Sequence, residues 1–222
     1  MKKSAIIVAG GLGTRINAGI PKQFLLLKGK PMLIYSIEAF KSAFPDLFIV
    51  LALPSIHIPA WRKLCDQYGL KIPHQVVAGG DTRFHSVQNA LAVIDETGLV
   101  AIHDGARPLI SETLIRSVFL MAEQYGNCIP VIPLNESVRI LSGETSQAAN
   151  RAAYRVVQTP QVFQSAMIKR AYDQNFQEHF SDDAVVAESM GETIHLIGGD
   201  PANLKITHPG DLAAAEALLG NQ

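Results

Sequence analysis

The sequence predicts an α/β fold of the Rossmann-like kind: a mostly parallel sheet with helices on both faces, plus a protruding β-hairpin arm. Three observations predict it. Short, nearly all-apolar runs alternate along the chain with amphipathic stretches of helical spacing. Those runs lack the in–out alternation of a half-exposed strand, so both faces of the sheet must be covered. Polar, glycine-containing turns follow several of the runs, where parallel sheets place their ligands.

The strand-like runs are Ala5–Val8, Leu47–Leu53, His74–Val77, Leu99–His103 and Cys128–Ile132, with His195–Ile197 and Leu204–Ile206 near the end. Helical spacing appears in Thr82–Ile94, where Phe84, Val87, Leu91 and Ile94 share a face. It recurs in Glu112–Tyr125, through Leu114, Ile115, Val118, Phe119, Ala122 and Tyr125, with Ser111 as its N-cap. A last helix is predicted from Pro209, a residue favoured in the first turn, with Leu212, Ala215 and Leu219 on one side. Asp182-Asp183 after Ser181 read as the acidic first turn of a capped helix rather than a catalytic pair of carboxylates. One stretch breaks the rhythm. From Pro133 to Tyr154 the chain is polar and poor in large apolar residues, and Ser142-Gly143-Glu144 can turn a hairpin. An excursion of that length is either disordered or a functional arm.

The 222 residues are read as one domain, 1–222, with the arm at about 133–154. A chain of this length buries roughly 70–75% of its unfolded surface and needs no staple. The formal charge of −1 argues against a nucleic-acid or anionic-membrane partner. Two cysteines without Cys-x-x-Cys spacing, Cys65 and Cys128, suit a reducing cytoplasm. The apolar run after Met1-Lys2-Lys3-Ser4 ends at Gly10, too soon for a secretory segment or a membrane span. The expectation is a cytoplasmic protein.

The most informative segment is Val8-Ala9-Gly10-Gly11-Leu12-Gly13-Thr14-Arg15, followed by Pro21-Lys22-Gln23-Phe24. Glycines leaving a buried strand let bare backbone N–H groups approach a phosphate. Arg15 and Lys22 add two cations beside the loop, which points to a nucleoside triphosphate. Taken alone, such a loop serves equally well as a tight turn. It is not a P-loop, since no Gly-Lys-Ser/Thr occurs. Nor is it a dinucleotide fingerprint, because Ile16 stands where the third glycine belongs. Gly-x-Gly-Thr-Arg with a nearby Pro-Lys is the pattern of nucleotidyltransferases.

Two further turns lie at predicted strand ends. In His103-Asp104-Gly105-Ala106-Arg107-Pro108, Asp104 is placed to face a triphosphate and to ligate Mg²⁺, which prefers oxygen donors. A turn or cap aspartate is the simpler local explanation. Arg107 can hold a second phosphate through two parallel hydrogen bonds. His103 reads as a packed residue rather than a catalyst. In Gly79-Gly80-Asp81-Thr82-Arg83-Phe84-His85-Ser86, one reading is an Asp81 cap beside a solvated Arg83. The other is a base or ribose pocket built from Gly80, Asp81 and Ser86, and a small pyrimidine suits the small residues Ala9, Gly10 and Gly80. Lys205, in the alternating stretch Asn203–Thr207, is by itself an ordinary solvated charge. No His-x-x-x-His pair and no Gly-x-Ser-x-Gly elbow is present.

Taken together, Ala9-Gly10-Gly11-x-Gly13-x-Arg15, Pro21-Lys22-Gln23, Gly80-Asp81-x5-Val87, His103–Pro108, Thr159-Pro160-Gln161 and Asn203-Leu204-Lys205 resemble the 2-C-methyl-D-erythritol 4-phosphate cytidylyltransferases of non-mevalonate isoprenoid precursor synthesis. The resemblance covers nearly the whole chain. It implies that Ala9, Gly10, Gly11, Gly13, Gly80, Asp81, Ser86 and Gly105 bind the nucleotide. It implies that Arg15, Lys22 and Lys205 are catalytic, that Asp104 ligates Mg²⁺ or another divalent cation, and that Arg107 and Thr159 position the substrate phosphate. It further implies a homodimer with exchanged arms, Ser137 and Arg151 entering the neighbour's site. The substrates would be CTP and a polyol phosphate. Ser137 stands where the family more often has threonine, and Gly10 and Gly105 replace frequent alanines, which should loosen the loops. Two alternatives stay open: a ribitol 5-phosphate cytidylyltransferase, and a non-catalytic nucleotide-binding module.

Overall fold

The computed structural model describes residues 1–10 and 22–220, the side chain of Lys22 excepted. After β1 (Lys3–Val8), a small hairpin of β2 (Leu26–Leu27) and β3 (Lys30–Pro31) leads into α1 (Met32–Ala43), β4 (Phe48–Leu53), α2 (Ile58–Gln67) and β5 (Gln75–Ala78). Then come α3 (Arg83–Leu91), β6 (Leu99–Asp104), α4 (Glu112–Tyr125) and β7 (Asn127–Pro133). The arm follows as β8 (Val138–Ser142) and β9 (Thr145–Ala149). The chain closes with β10 (Arg155–Val157), β11 (Gln161–Gln164), α5 (Ser165–Tyr172), α6 (Asp183–Glu188), β12 (Leu196–Gly198) and α7 (Pro209–Gly220).

The main sheet runs β10-β7-β11-β6-β1-β4-β5, with β12 also pairing β7. β6, β1, β4 and β5 are parallel neighbours, and β12 is parallel to β7. β10 and β11 are the antiparallel insertions. The sequence reading missed these two, because their short runs carry Arg155, Gln161 and Gln164 and offer no apolar signature. From β1 the chain moves outward to β4 and β5, then returns to lay β6 on the other side of β1. The strand order therefore reverses between β1 and β6, which opens a crevice at their C-terminal ends.

The two faces explain the all-apolar strands. On β1, Ala5 and Ile7 pack with Ile34, Ile37 and Phe40 of α1 and Ile115, Val118 and Phe119 of α4. Ile6 and Val8 pack on the opposite side with Phe84 and Val87 of α3 and Met167 and Ile168 of α5. The period of two sends alternate residues into two separate cores, so neither face tolerates charge. The predicted α4 forms with its predicted cap: Ser111 Oγ accepts from Leu114 N at 3.3 Å. It stops at Gly126, whose φ of 89° suits glycine and lets its N–H reach Ala122 O at 2.9 Å. α7 begins at Pro209 as expected and buries Ala215 against Leu25, Leu27 and Ile206.

Two expectations are corrected. Leu204–Ile206 is not a strand; it is an extended loop tied by Ile206 N to Ala106 O at 2.9 Å. Asp81 is not the cap of α3: Thr82 is, its hydroxyl accepting from His85 N at 3.3 Å. Asp182 and Asp183 do open a capped, acidic helix turn as expected: Asp182 caps α6, accepting from Val185 N at 3.0 Å, and Asp183 follows in the first turn, completely buried. The polar excursion is ordered as a β8–β9 hairpin that pairs only with itself among the described residues. Its Leu141 is 79% exposed. No helix among the described residues is long and apolar enough to cross a membrane.

Candidate active site

A cleft of about 380 Å³ occupies the crevice between the ends of β1 and β6, in the size range of small-ligand pockets. Ala9, Gly10, Gly80, Asp81 and Ser86 line one part of it. Asp104, Gly105 and Lys205 line another, together with Arg83 and Gln23, which the sequence reading had assigned no role there. Three loops far apart in sequence meet because their strands are neighbours. Ala9 N donates to Ala52 O at 2.9 Å, Gly79 N to Leu53 O at 2.7 Å and Gly105 N to Val8 O at 2.9 Å.

The glycine-lined side of the cleft is built from backbone and small groups. Ser86 is buried; its Oγ accepts from Gly80 N at 3.1 Å and donates to Thr82 O at 3.0 Å. Ser86 thus shapes the Gly80 turn. A Cβ on Gly80 would lie 2.4 Å from His85 Cβ, so only glycine closes the turn this tightly. The glycines expected to loosen their loops are closely packed instead. A Cβ on Gly105 would lie 2.6 Å from Leu33 Cδ2, and one on Gly10 would lie 3.2 Å from Ser86 Oγ.

The charged side centres on Asp104. Lys205 Nζ lies 2.8 Å from its Oδ2, Arg83 Nε donates to Oδ1 at 3.2 Å, and Arg107 Nε is 3.9 Å from Oδ2. Burial would raise the Asp104 carboxyl, but Arg83, Lys205 and Arg107 outweigh it and hold the group well below the usual carboxylate range. It is ionised throughout the neutral range. Behind it, burial pushes the His103 imidazole down to about 4, so it is neutral. His103 Nε2–H donates to Arg107 O at 3.0 Å, which leaves Nδ1 as an acceptor. Thr159 Oγ1 donates to that Nδ1 at 3.1 Å and accepts from Asp104 N at 3.0 Å. His103 is therefore a packed relay, its ring edge-on to Phe40, as expected of a residue facing into the fold.

Two expected phosphate ligands have other engagements. Arg107 is buried; its Nη1 donates to Asn203 O at 2.7 Å and its Nη2 to Val157 O at 3.3 Å. It does not line the cleft. It holds the loop that carries Lys205, helped by Asn203 Nδ2, which donates to Thr159 O at 2.8 Å. Thr159 is buried as well, with its hydroxyl committed to His103 and Asp104. Two more residues separate Val157 from Val162 than separate their partners Val131 and Cys128, and this bulge carries Thr159 to Asp104. In this structure the hydrogen bonds of both residues run to the protein around Asp104 and the Lys205 loop. Ser137 and Arg151 sit exposed at the base of the arm, and neither lines this chain's own cleft. Gly11, Gly13 and Arg15 lie outside the described residues, as does the side chain of Lys22.

Arg83, read as a solvated charge, is instead forked onto Asp183 and reaches Asp104. Only its place beside the glycine turn hinted at this; Asp183 lies in a distant segment and gave no signal.

Bare backbone to receive a base and cations to receive a polyphosphate, side by side at the turning point of a parallel sheet, are what a nucleotidyltransferase requires, and this protein is one. The chain belongs to the 2-C-methyl-D-erythritol 4-phosphate cytidylyltransferase family, whose model matches residues 4–221. It is 45% identical over 219 residues to the 2-C-methyl-D-erythritol 4-phosphate cytidylyltransferase of Bacteroides thetaiotaomicron, covering 99% of this chain and 100% of that one. It is 46% identical over 219 residues to the enzyme of that name from Bacteroides fragilis, again covering 99% and 100%. The crystal structure of 2-C-methyl-D-erythritol 4-phosphate cytidylyltransferase from Thermus thermophilus matches with a TM-score of 0.77 at 32% identity, covering 98% of each chain.

Proposed function

We propose that the cleft joins CTP to 2-C-methyl-D-erythritol 4-phosphate, forming the cytidine diphosphate-linked methylerythritol and releasing pyrophosphate. An oxygen of the acceptor's phosphate attacks the α-phosphorus of CTP in line, and the bond to the bridging oxygen of pyrophosphate breaks. The attacking phosphate is already ionised, so no general base is needed. The protein's part is positioning and charge neutralisation. The observation that carries this reading is the Lys205–Asp104 pair at the mouth of the β1–β6 crevice. Arg15 and Lys22 are proposed to join Lys205 around the triphosphate. Gly80, Asp81 and Ser86, with Ala9 and Gly10, are proposed to receive cytosine and ribose. Family membership favours the methylerythritol acceptor over ribitol phosphate.

Asp104 is proposed to hold Mg²⁺. Among the described residues no group of three or more His, Cys, Asp or Glu side chains gathers as a metal cage. A single buried carboxylate fits an ion that is held mainly by substrate phosphates and water. When bound, the ion would supply charge neutralisation for the triphosphate. The proposed assembly is a homodimer with exchanged arms. In support, an isolated two-stranded hairpin is marginal in water, yet β8–β9 projects with Ile140 and Leu141 exposed.

Pyrophosphate release tests the reaction, with CTP, UTP and ATP each offered methylerythritol phosphate and ribitol phosphate. Turnover with CTP and methylerythritol phosphate is expected to dominate. CTP binding without pyrophosphate release from either acceptor would overturn the reading.

A further inference from the structure

We propose that Arg83 is a positioning residue for Asp104, itself held in place by Asp183 and Tyr172. This inference rests on the reading of Asp104 given above. Arg83 opens α3, Asp183 opens α6 and Tyr172 closes α5, so three helices on one face of the sheet converge on the end of β6. Arg83 Nη1 donates to Asp183 Oδ1 at 2.8 Å and Nη2 to Asp183 Oδ2 at 2.6 Å. Tyr172 donates its hydroxyl to Asp183 Oδ1 at 2.6 Å, and its ring stacks on Phe84 with centroids 4.6 Å apart. Asp183 is completely buried, so its carboxylate is fixed by these partners and not by water.

The two bonds to Asp183 set the orientation of the Arg83 guanidinium. It is planar, so pinning both Nη atoms fixes the direction of Nε–H. That donor points to Asp104 Oδ1 at 3.2 Å. Asp104 therefore has two unlike oxygens. Oδ1 is tied through Arg83 to the interior. Oδ2 faces Lys205, whose side chain is 45% exposed and free to follow an incoming anion. When substrate draws Lys205 away, the fork keeps the carboxylate plane in place and leaves Oδ2 turned toward the cleft.

The test is a double-mutant cycle read in single-turnover rates and in KM for CTP. Asp183→Asn is expected to lower the rate about tenfold with little change in KM, a size usual for coupled neighbours. Asp104→Asn is expected to lower it further. Asp104→Asn combined with Asp183→Asn is expected to be no slower than Asp104→Asn alone, because Asp183 acts only through Asp104. Arg83→Lys, which keeps the charge and loses the fork, is expected to behave like Asp183→Asn. Should Asp183→Asn fail to fold, Tyr172→Phe removes one hydrogen bond and keeps the ring. It is expected to cost about twofold to threefold in the wild-type background and nothing beside Asp104→Asn. If the Asp183 and Asp104 losses multiply, or Asp183→Asn lowers only Tm, the inference is overturned while the reading of Asp104 stands. If Asp104→Asn retains the wild-type rate, that reading falls and the inference with it.

Discussion

Lys205 Nζ and Asp104 Oδ2 stand 2.8 Å apart at the rim of the sheet, a half-exposed ammonium on a carboxylate that is almost wholly buried. The pair joins the end of β6 to a loop near the C-terminus, and it is the contact most directly in the path of an anionic ligand. Lys205→Ala is expected to reduce kcat/KM by roughly two to three orders of magnitude, the scale seen when one donor to a developing charge is removed. Lys22→Ala is expected to act similarly. Steady-state pyrophosphate release checks both, and a near-native rate for either variant would remove that residue from the mechanism.

Arg107→Ala is expected to act on stability before chemistry. It strips the carbonyls of Asn203 and Val157 of a buried charged donor, at a cost of about 3 kcal/mol. For a chain of this size that lowers Tm by roughly 6–12 °C. It also frees the Lys205 loop, so KM should rise even at temperatures where the variant is folded. Thermal denaturation and saturation kinetics measure the two effects separately. An unchanged Tm would return Arg107 to the role of a phosphate ligand.

Gly80→Ala places a methyl group where His85 Cβ already lies 2.4 Å away, with the His85 carbonyl carbon at 3.1 Å. The turn must open, and the bond from Gly80 N to Ser86 Oγ must lengthen. CTP affinity is expected to weaken about tenfold or more, while Tm changes little because the turn lies at the rim of the sheet. Calorimetric titration with CTP reads the first effect. Native affinity would place the base elsewhere.

Burial pushes the thiols of Cys65 and Cys128 up to about 11. Below that pH they stay protonated, and the thiolate is the reactive form. At pH 7.5 both are expected to react with a disulfide reagent roughly two orders of magnitude more slowly than an ordinary cysteine of pKa near 8.5. The rate should climb as the pH rises toward 11. Comparing native and urea-unfolded protein measures the difference, and equal rates would contradict the burial.

The proposed exchanged-arm dimer predicts subunit complementation. Lys205→Ala and Arg151→Ala protomers should each be nearly inactive alone. Refolded together in equal amounts, they should regain about one quarter of native activity, since one site in each mixed dimer receives an intact body and an intact arm. Deleting the β8–β9 hairpin should yield a monomer by sedimentation. Activity that stays absent from the mixture would exclude the shared site.

The strands most plainly legible in the sequence were those of the doubly covered core. Ala5–Val8 and Leu99–His103 announce themselves because both faces of β1 and β6 exclude water, so polar residues vanish from the run. The glycine turns were legible for a local reason, since a close approach such as that of Gly80 to His85 leaves no room for a side chain. The β10–β11 insertion was not, and neither was the true state of Lys205's segment, because their pairing depends on neighbours that only the closed sheet supplies. Arg83 was misread for the same reason.

By itself, then, the sequence determined the layered α/β plan, the turns that meet at its rim and the family whose motifs they carry, all of which follow from local patterning and from residue types that few sites require. The tertiary structure alone decided which polar groups face the cleft and which support it. Arg107 and Thr159 turn inward, and Arg83 locks to an aspartate from a distant helix. Hydrogen bonds between such remote segments are chosen only when the sheet closes, since a buried donor or acceptor must find its partner in three dimensions.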